Sequence, residues 1–133
     1  MSVKNIIIRL TLVFTVMFLS TSFAEWTKVV EDTNGYTLYL DFERIRKHDG
    51  YFYYWQLVDN LKPIDGDLSK TEYKQGDCNL FRYKTLTHIW HKQSMGRDIG
   101  ETYSPKNPNW WYPSKDLSKA LFVRTSLKTV CNR

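Results

Sequence analysis

Two histidines and two cysteines are the first residues to weigh for chemistry. His88 and His91 stand three apart, a spacing that would put both rings on one face of a helix. Their neighbours Thr85, Thr87, Ile89 and Trp90 favour a strand instead, where an odd spacing points side chains to opposite faces. With no carboxylate or cysteine clustered around them, they read as ordinary surface or half-buried histidines, and no metal site is expected. The carboxylates Asp41, Glu43, Asp65 and Asp67 are scattered through turns, where solvation or capping accounts for them. No serine sits in a G-x-S-x-G elbow between a strand and a helix. Gly96 and Gly100 lie in a segment with no helix start after it, so no phosphate-binding loop is present. The expectation is a protein without catalytic residues or cofactor, and not an enzyme.

The role of Cys78 and Cys131 depends on where the chain is sent. Residues 1–24 carry a basic head (Lys4, Arg9), an apolar run from Leu10 to Leu19, and a polar tail ending in Ser22-Phe23-Ala24. Those are the three parts of an export signal with a small-x-small cleavage site. A retained membrane helix would need about 20 apolar residues, and Arg9 blocks extension of the run. Cleavage after Ala24 is therefore expected, which leaves residues 25–133 as a single domain. That domain carries a net charge of +3. So mild a positive balance suits a solvated surface and gives no reason to expect nucleic acid as a partner. No cysteine stands at the cleavage site, so no lipid or other membrane anchor is expected after cleavage. Export brings the only two cysteines into an oxidising compartment, where an even count reads as a disulfide rather than free thiols or a metal site. The bridge would close a loop of 54 residues.

Strand signals dominate the elements that hold these residues. Glu25–Val30 and Tyr36–Leu40 alternate on either side of the turn pair Asn34-Gly35 and read as a hairpin. His48-Asp49-Gly50 turns into Tyr51–Val58 (YFYYWQLV), apolar on both faces and so a central strand. Residues 59–77 are polar, with only Ser69–Tyr73 as a short strand. Leu80–Lys92 is rich in strand formers but too long to be flat, which places a bulge near Lys84–Leu86. Gln93–Asn109 reads as an irregular surface loop. The period then changes. Ser114 is the expected cap of a helix whose apolar face is Leu117, Ala120, Leu121, Val123, Leu127 and Val130, with a weak point at Thr125–Ser126. The fold class is thus α+β: an antiparallel sheet of about five to six strands, a C-terminal helix packed on one face, and one disulfide.

Tyr, Trp and Phe make up 16% of the chain, an unusual load. Tyr53, Trp55 and Trp110 are assigned to the core. Arg97, Tyr103 and Trp111, in or beside the irregular loop, are the residues expected to be exposed and to meet a protein partner.

A further pattern runs through the chain. Trp26 begins it, and the strand Tyr36–Asp41 follows, ending in an acidic residue. Then come Trp55-Gln56-Leu57, Ser69, the pair Asp77-Cys78, Arg82, Leu86, Met95-Gly96, Trp110, Pro113-Ser114 and finally Val130-Cys131. This order resembles the surface-adhesin E family of bacterial envelope proteins over essentially the whole mature domain. The resemblance implies an antiparallel sheet with a helix tied down by the disulfide. It also implies a binding role, because the family is named for a lipid-anchored outer-membrane adhesin that binds host matrix and serum proteins and can dimerise. The sequence departs from that pattern in lacking a lipid-bearing cysteine after the signal. Two readings follow. One is an exported, non-enzymatic binding module of the cell envelope, periplasmic, secreted or held at the cell surface. The other is a soluble periplasmic accessory protein or homodimer subunit with no adhesive role.

Overall fold

The computed structural model describes residues 24–133. The expected export signal lies outside them except for Ala24. Seven antiparallel strands make one sheet. β1 (Thr27–Glu31) and β2 (Thr37–Leu40) form the expected hairpin. Its turn is held by Asp32, whose Oδ1 accepts from the amides of Asn34 at 2.8 Å and Tyr36 at 3.0 Å. β3 (Arg46–His48) and β2 lie end to end along one edge of β4 (Tyr51–Ile64), separated by a 3-10 turn at Phe42–Arg44. On its other edge β4 pairs with β5 (Asp67–Asp77).

The polar stretch 59–77 is therefore ladder, not loop. Asp65-Gly66 reverses the chain with both residues at positive φ, 51° and 83°, the conformation a tight hairpin turn of the primed kind needs. Pro63, which cannot donate to a ladder, falls in the 60–63 segment where the register slips between Asp59 and Ile64. β6 (Arg82–His91) follows β5, and its pairing jumps from Lys74–Thr85 to Tyr73–Thr87. Leu86 is the extra residue of a bulge, inside the span where one is expected. The segment Gln93–Asn109 is only partly irregular. It contains a 3-10 turn at Ser94–Gly96 and the three-residue edge strand β7 (Glu101–Tyr103) on β6. Strands this short leave too little alternation in the sequence to be seen, which is also why β3 escapes notice.

Helix α1 (Leu117–Cys131) starts two residues later than expected. Asp116 is its cap, accepting from the Ser118 amide at 3.0 Å, and Ser114 instead accepts from the Asp116 amide at 3.1 Å. The irregular point is Ala120 (φ −138°, ψ 27°), not Thr125–Ser126. There the hydroxyls back-bond within the helix: Ser126 donates to the Val123 carbonyl, and Thr129 to that of Thr125. Because of the early irregularity, Leu117 is left exposed, and the buried face is Ala120, Ser126, Leu127 and Val130.

Alternation along the strands gives the sheet two different faces. The helix face presents Leu38 and Leu40 of β2, Phe52, Tyr54 and Gln56 of β4, Glu72, Lys74 and Gly76 of β5, and Tyr83, Thr85 and His88 of β6. Its core is Leu40, Tyr54 and Val130, with Val29, Phe42, Ile45 and Phe52 packed around them. Gly76 lets the helix approach closely, since a Cβ there would sit 2.8 Å from Leu127 Cδ1 and 3.3 Å from Tyr54 Cε1. Next to it the Cys78–Cys131 disulfide joins the end of the helix to the β5–β6 turn, with the two Cα atoms 5.6 Å apart.

Two outcomes are expected. Replacing both cysteines by alanine removes about 4 kcal/mol, the loop-closure value for this separation, read as a lower denaturant midpoint with a steeper slope, because the unbridged denatured chain exposes more surface. Gly76→Ala costs about 1–3 kcal/mol by overpacking against the buried Leu127 side chain, read in the same assay.

Candidate functional site

Two surfaces carry the side chains able to recognise a ligand, one on each face of the sheet. On the helix face, an open cleft of about 460 Å³ lies between α1 and the segment 103–111. Its floor is Glu72, Lys74, Tyr83, Thr85 and His88 of β5 and β6, and Tyr103 and Trp111 stand at its sides. Trp111 is held there by a pair of backbone hydrogen bonds with Tyr83, 2.8 and 2.9 Å long. Tyr103 and Trp111 are exposed, at 51% and 60%. Arg97 is also exposed but follows the Ser94–Gly96 turn, away from the cleft lining. Of the three residues nominated from the sequence, the structure thus brings together two.

The cleft floor has unusual electrostatics. Lys74 is buried at 1% exposure, and burial holds its ammonium below the ordinary lysine pKa. Its Nζ lies 4.3 Å from the centre of the Tyr83 ring, while Lys70 takes the ion pair with Glu72 at 3.8 Å. His88 stacks on Trp90 with centroids 5.5 Å apart. Burial, then the Lys70 charge, keep its pKa below the usual imidazole value. Its Nδ1 is buried without a hydrogen-bond partner, 3.6 Å from Glu72 Oε2. His91 lies on the opposite face, where Nε2 meets Thr71 Oγ1 at 2.9 Å and Nδ1 the Asp98 carbonyl at 3.0 Å, so its role is to hold the 93–100 loop. Among the described residues no three His, Cys, Asp or Glu side chains form a metal-binding group.

The face opposite the helix corrects the assignment of the aromatics. Tyr53, Trp55 and Trp110 are half-exposed rather than core; the fully buried aromatic is Tyr54. Trp55 and Tyr73 pack at 4.8 Å, and Tyr53 joins Tyr73 at 6.2 Å. The Arg44 guanidinium lies 5.3 Å from the Trp55 ring and 6.0 Å from Trp26, steered by Asp41 Oδ2 at 2.6 Å from its Nε. At the other end Trp110 packs on Tyr51 at 5.5 Å, with Arg82 4.2 Å and Lys84 4.5 Å from its ring. Arg82 is fixed by Asp77 at 2.8 Å. The result is a stripe of rings interleaved with cations, which no helix covers. The sequence signal for it was the two-sided apolarity of YFYYWQLV, since one helix covers one face only. What sequence reasoning missed is the contribution of Tyr73, Arg44 and Arg82, which come from three other elements.

Lys74→Met tests the cleft floor. A buried lysine held below its ordinary pKa takes up its proton later in the folded than in the unfolded chain. Stability is therefore lost as pH falls from the ordinary lysine value of about 10.4. The methionine chain should melt about 4 °C or more above the native one at pH 7, with the gap narrowing toward pH 10, as followed by circular dichroism.

Known proteins share this fold. A family model described as surface-adhesin protein E matches residues 26–132. Two crystal forms of Haemophilus influenzae protein E superpose with TM-scores of 0.57 and 0.56 at 15% identity, over 80% of this chain and 83% and 87% of theirs. Protein E from non-typeable Haemophilus influenzae superposes at 0.53 and 16% identity, over 80% of this chain and 72% of that one. At such identities the likeness speaks for the fold. No curated protein sequence matches the chain. With a single family model spanning the described domain from Trp26 to Asn132, the chain belongs to the surface-adhesin protein E family and is an adhesin-like envelope protein.

Proposed function

We propose that this protein is an exported, non-enzymatic binding module of the bacterial cell envelope, periplasmic or secreted, and that it grips a protein partner with the sheet face opposite the helix. The observation that carries this reading is the ring-and-cation stripe from Trp26 through Arg44, Trp55 and Tyr73 to Trp110 with Arg82 and Lys84. Aromatics and arginine are the residues that concentrate binding energy at interfaces. Here they are already ordered by Asp41 and Asp77, so little side-chain entropy is lost on binding. The cations favour an acidic segment on the partner. Tyr103 and Trp111 offer a second contact area at the cleft, and Arg97 a separate exposed cation beside the Ser94–Gly96 turn. No transmembrane anchor is needed for this role, and among the described residues no helix is long and apolar enough to cross a membrane.

Binding of the mature protein to surfaces coated with purified extracellular-matrix and serum proteins tests the proposal. Saturable binding is expected, weakened about tenfold or more by Trp55→Ala and by Lys84→Glu, each variant first shown to melt as the native protein does. A loss confined to Trp111→Ala would move the site to the cleft. Absence of binding across the whole panel, with the protein dimeric by light scattering, would sink the binding reading in favour of an accessory subunit.

A further inference from the structure

The start of β1 carries a feature that the binding reading does not use. The backbone nitrogen of Glu25 lies 3.3 Å from Asp41 Oδ2, across 16 residues of sequence. Asp41 follows β2, and the pairing of Thr27 with Leu40 sets Glu25 beside it just beyond the end of the ladder. The Asp41 carboxylate is only 1% exposed. Its Oδ2 is shared between Arg44 Nε at 2.6 Å and Glu25 N, while Oδ1 is buried with no hydrogen-bond partner. A buried carboxylate oxygen left unpaired is costly, and such an atom calls for an explanation.

The sequence supplies one. Ser22-Phe23-Ala24 places a small-x-small cut directly before Glu25. We propose that Asp41 is the receptor for the α-ammonium of Glu25, created by hydrolysis of the Ala24–Glu25 peptide bond. In that step water adds across the bond: the hydroxyl goes to the Ala24 carbonyl carbon, giving a carboxylate, and the nitrogen leaves as an amine that takes up a proton. An amide nitrogen has one hydrogen to donate, whereas an ammonium has three. The nitrogen then has one hydrogen for Oδ2 and others to offer the orphaned Oδ1 of the same carboxylate, and it gains a positive charge beside the buried carboxylate. Trp26 next to it is already seated by Arg44 at 6.0 Å, so the new terminus is aimed rather than free. The consequence is a domain that becomes more stable when its leader is removed. Processing and folding are thereby coupled through one carboxylate.

This inference rests on the export reading, and the experiment separates the two. Mass spectrometry of the exported protein first gives its start, and any first residue other than Glu25 overturns the proposal at the processing step. For a chain that does begin at Glu25, its α-amine is selectively acetylated, which returns the nitrogen to a one-hydrogen, uncharged amide. The acetylated chain should melt about 4 °C or more below the free one, and the difference should vanish in Asp41→Asn. Equal melting of the free and acetylated native chains overturns the receptor role while leaving export intact. If Asp41→Asn does not fold, the rate of α-amine acetylation in the native chain decides. It should be about tenfold or more slower than in the urea-unfolded chain, and equal rates overturn the proposal.

Discussion

Helix α1 sits against a sheet that would otherwise present aromatic and polar side chains to water on both sides, and the fastening of that helix governs the rest. Val130 and Leu127 meet Leu40, Tyr54 and the gap at Gly76. One residue beyond Val130, Cys131 is bound to Cys78 at the β5–β6 turn. The core so made is small: among the described residues, six buried hydrophobic side chains lie on the helix side, and the seventh, Leu57, lies on the other face. A helix with so narrow an apolar face, and an irregular first turn at Ala120, gains little from packing alone. Constraint of the unfolded chain by a bridge over a long loop is the term that compensates.

Covering one face decides the character of the other. On the helix side Tyr54 is swallowed whole, its hydroxyl without a partner and held well above the usual tyrosine pKa by burial, with Ser126 acting in the opposite sense. On the far side neighbouring residues of the same strand stay half-exposed and lean on one another. There is no second layer to bury them. A sheet with one layer leaves one aromatic face bare, and contiguous exposed rings of this kind are the physical ground for the binding role proposed above. Loop 93–100 closes part of that bare side over Leu57, anchored where Asp59 accepts from Ser94 Oγ at 2.9 Å and from the Met95 amide at 2.8 Å.

Much of this architecture is legible in the residues. Alternation marks β1 and β2, apolarity on both faces marks β4, and the even cysteine count behind an export-type leader sequence marks the disulfide. The change of period marks the helix, and the length of Leu80–Lys92 marks the bulge within Lys84–Leu86. The failures have physical causes. Asp65-Gly66 was a turn signal in plain sight, masked by polar neighbours that pair through their backbone regardless of side chain. Ser114 and Asp116 are both capping types, and only the backbone path decides between them. The aromatic stripe could not be assembled beforehand, because Arg44, Trp55, Tyr73 and Arg82 meet only through strand register. Tyr103 and Trp111 converge through β7 and the Tyr83–Trp111 bridge, both too short to leave a pattern.

The placement of the two cysteines also shapes how the molecule is made. In a chain delivered N-terminus first, Cys78 arrives 53 residues ahead of the only sulfur it can join. With no third thiol in the sequence, no wrong internal pairing exists to be undone, and oxidation has a single intramolecular product. The risk lies instead in time. Until Cys131 follows, Cys78 is an unmatched thiol open to a neighbouring molecule, and the final turn of the helix is what ends that exposure.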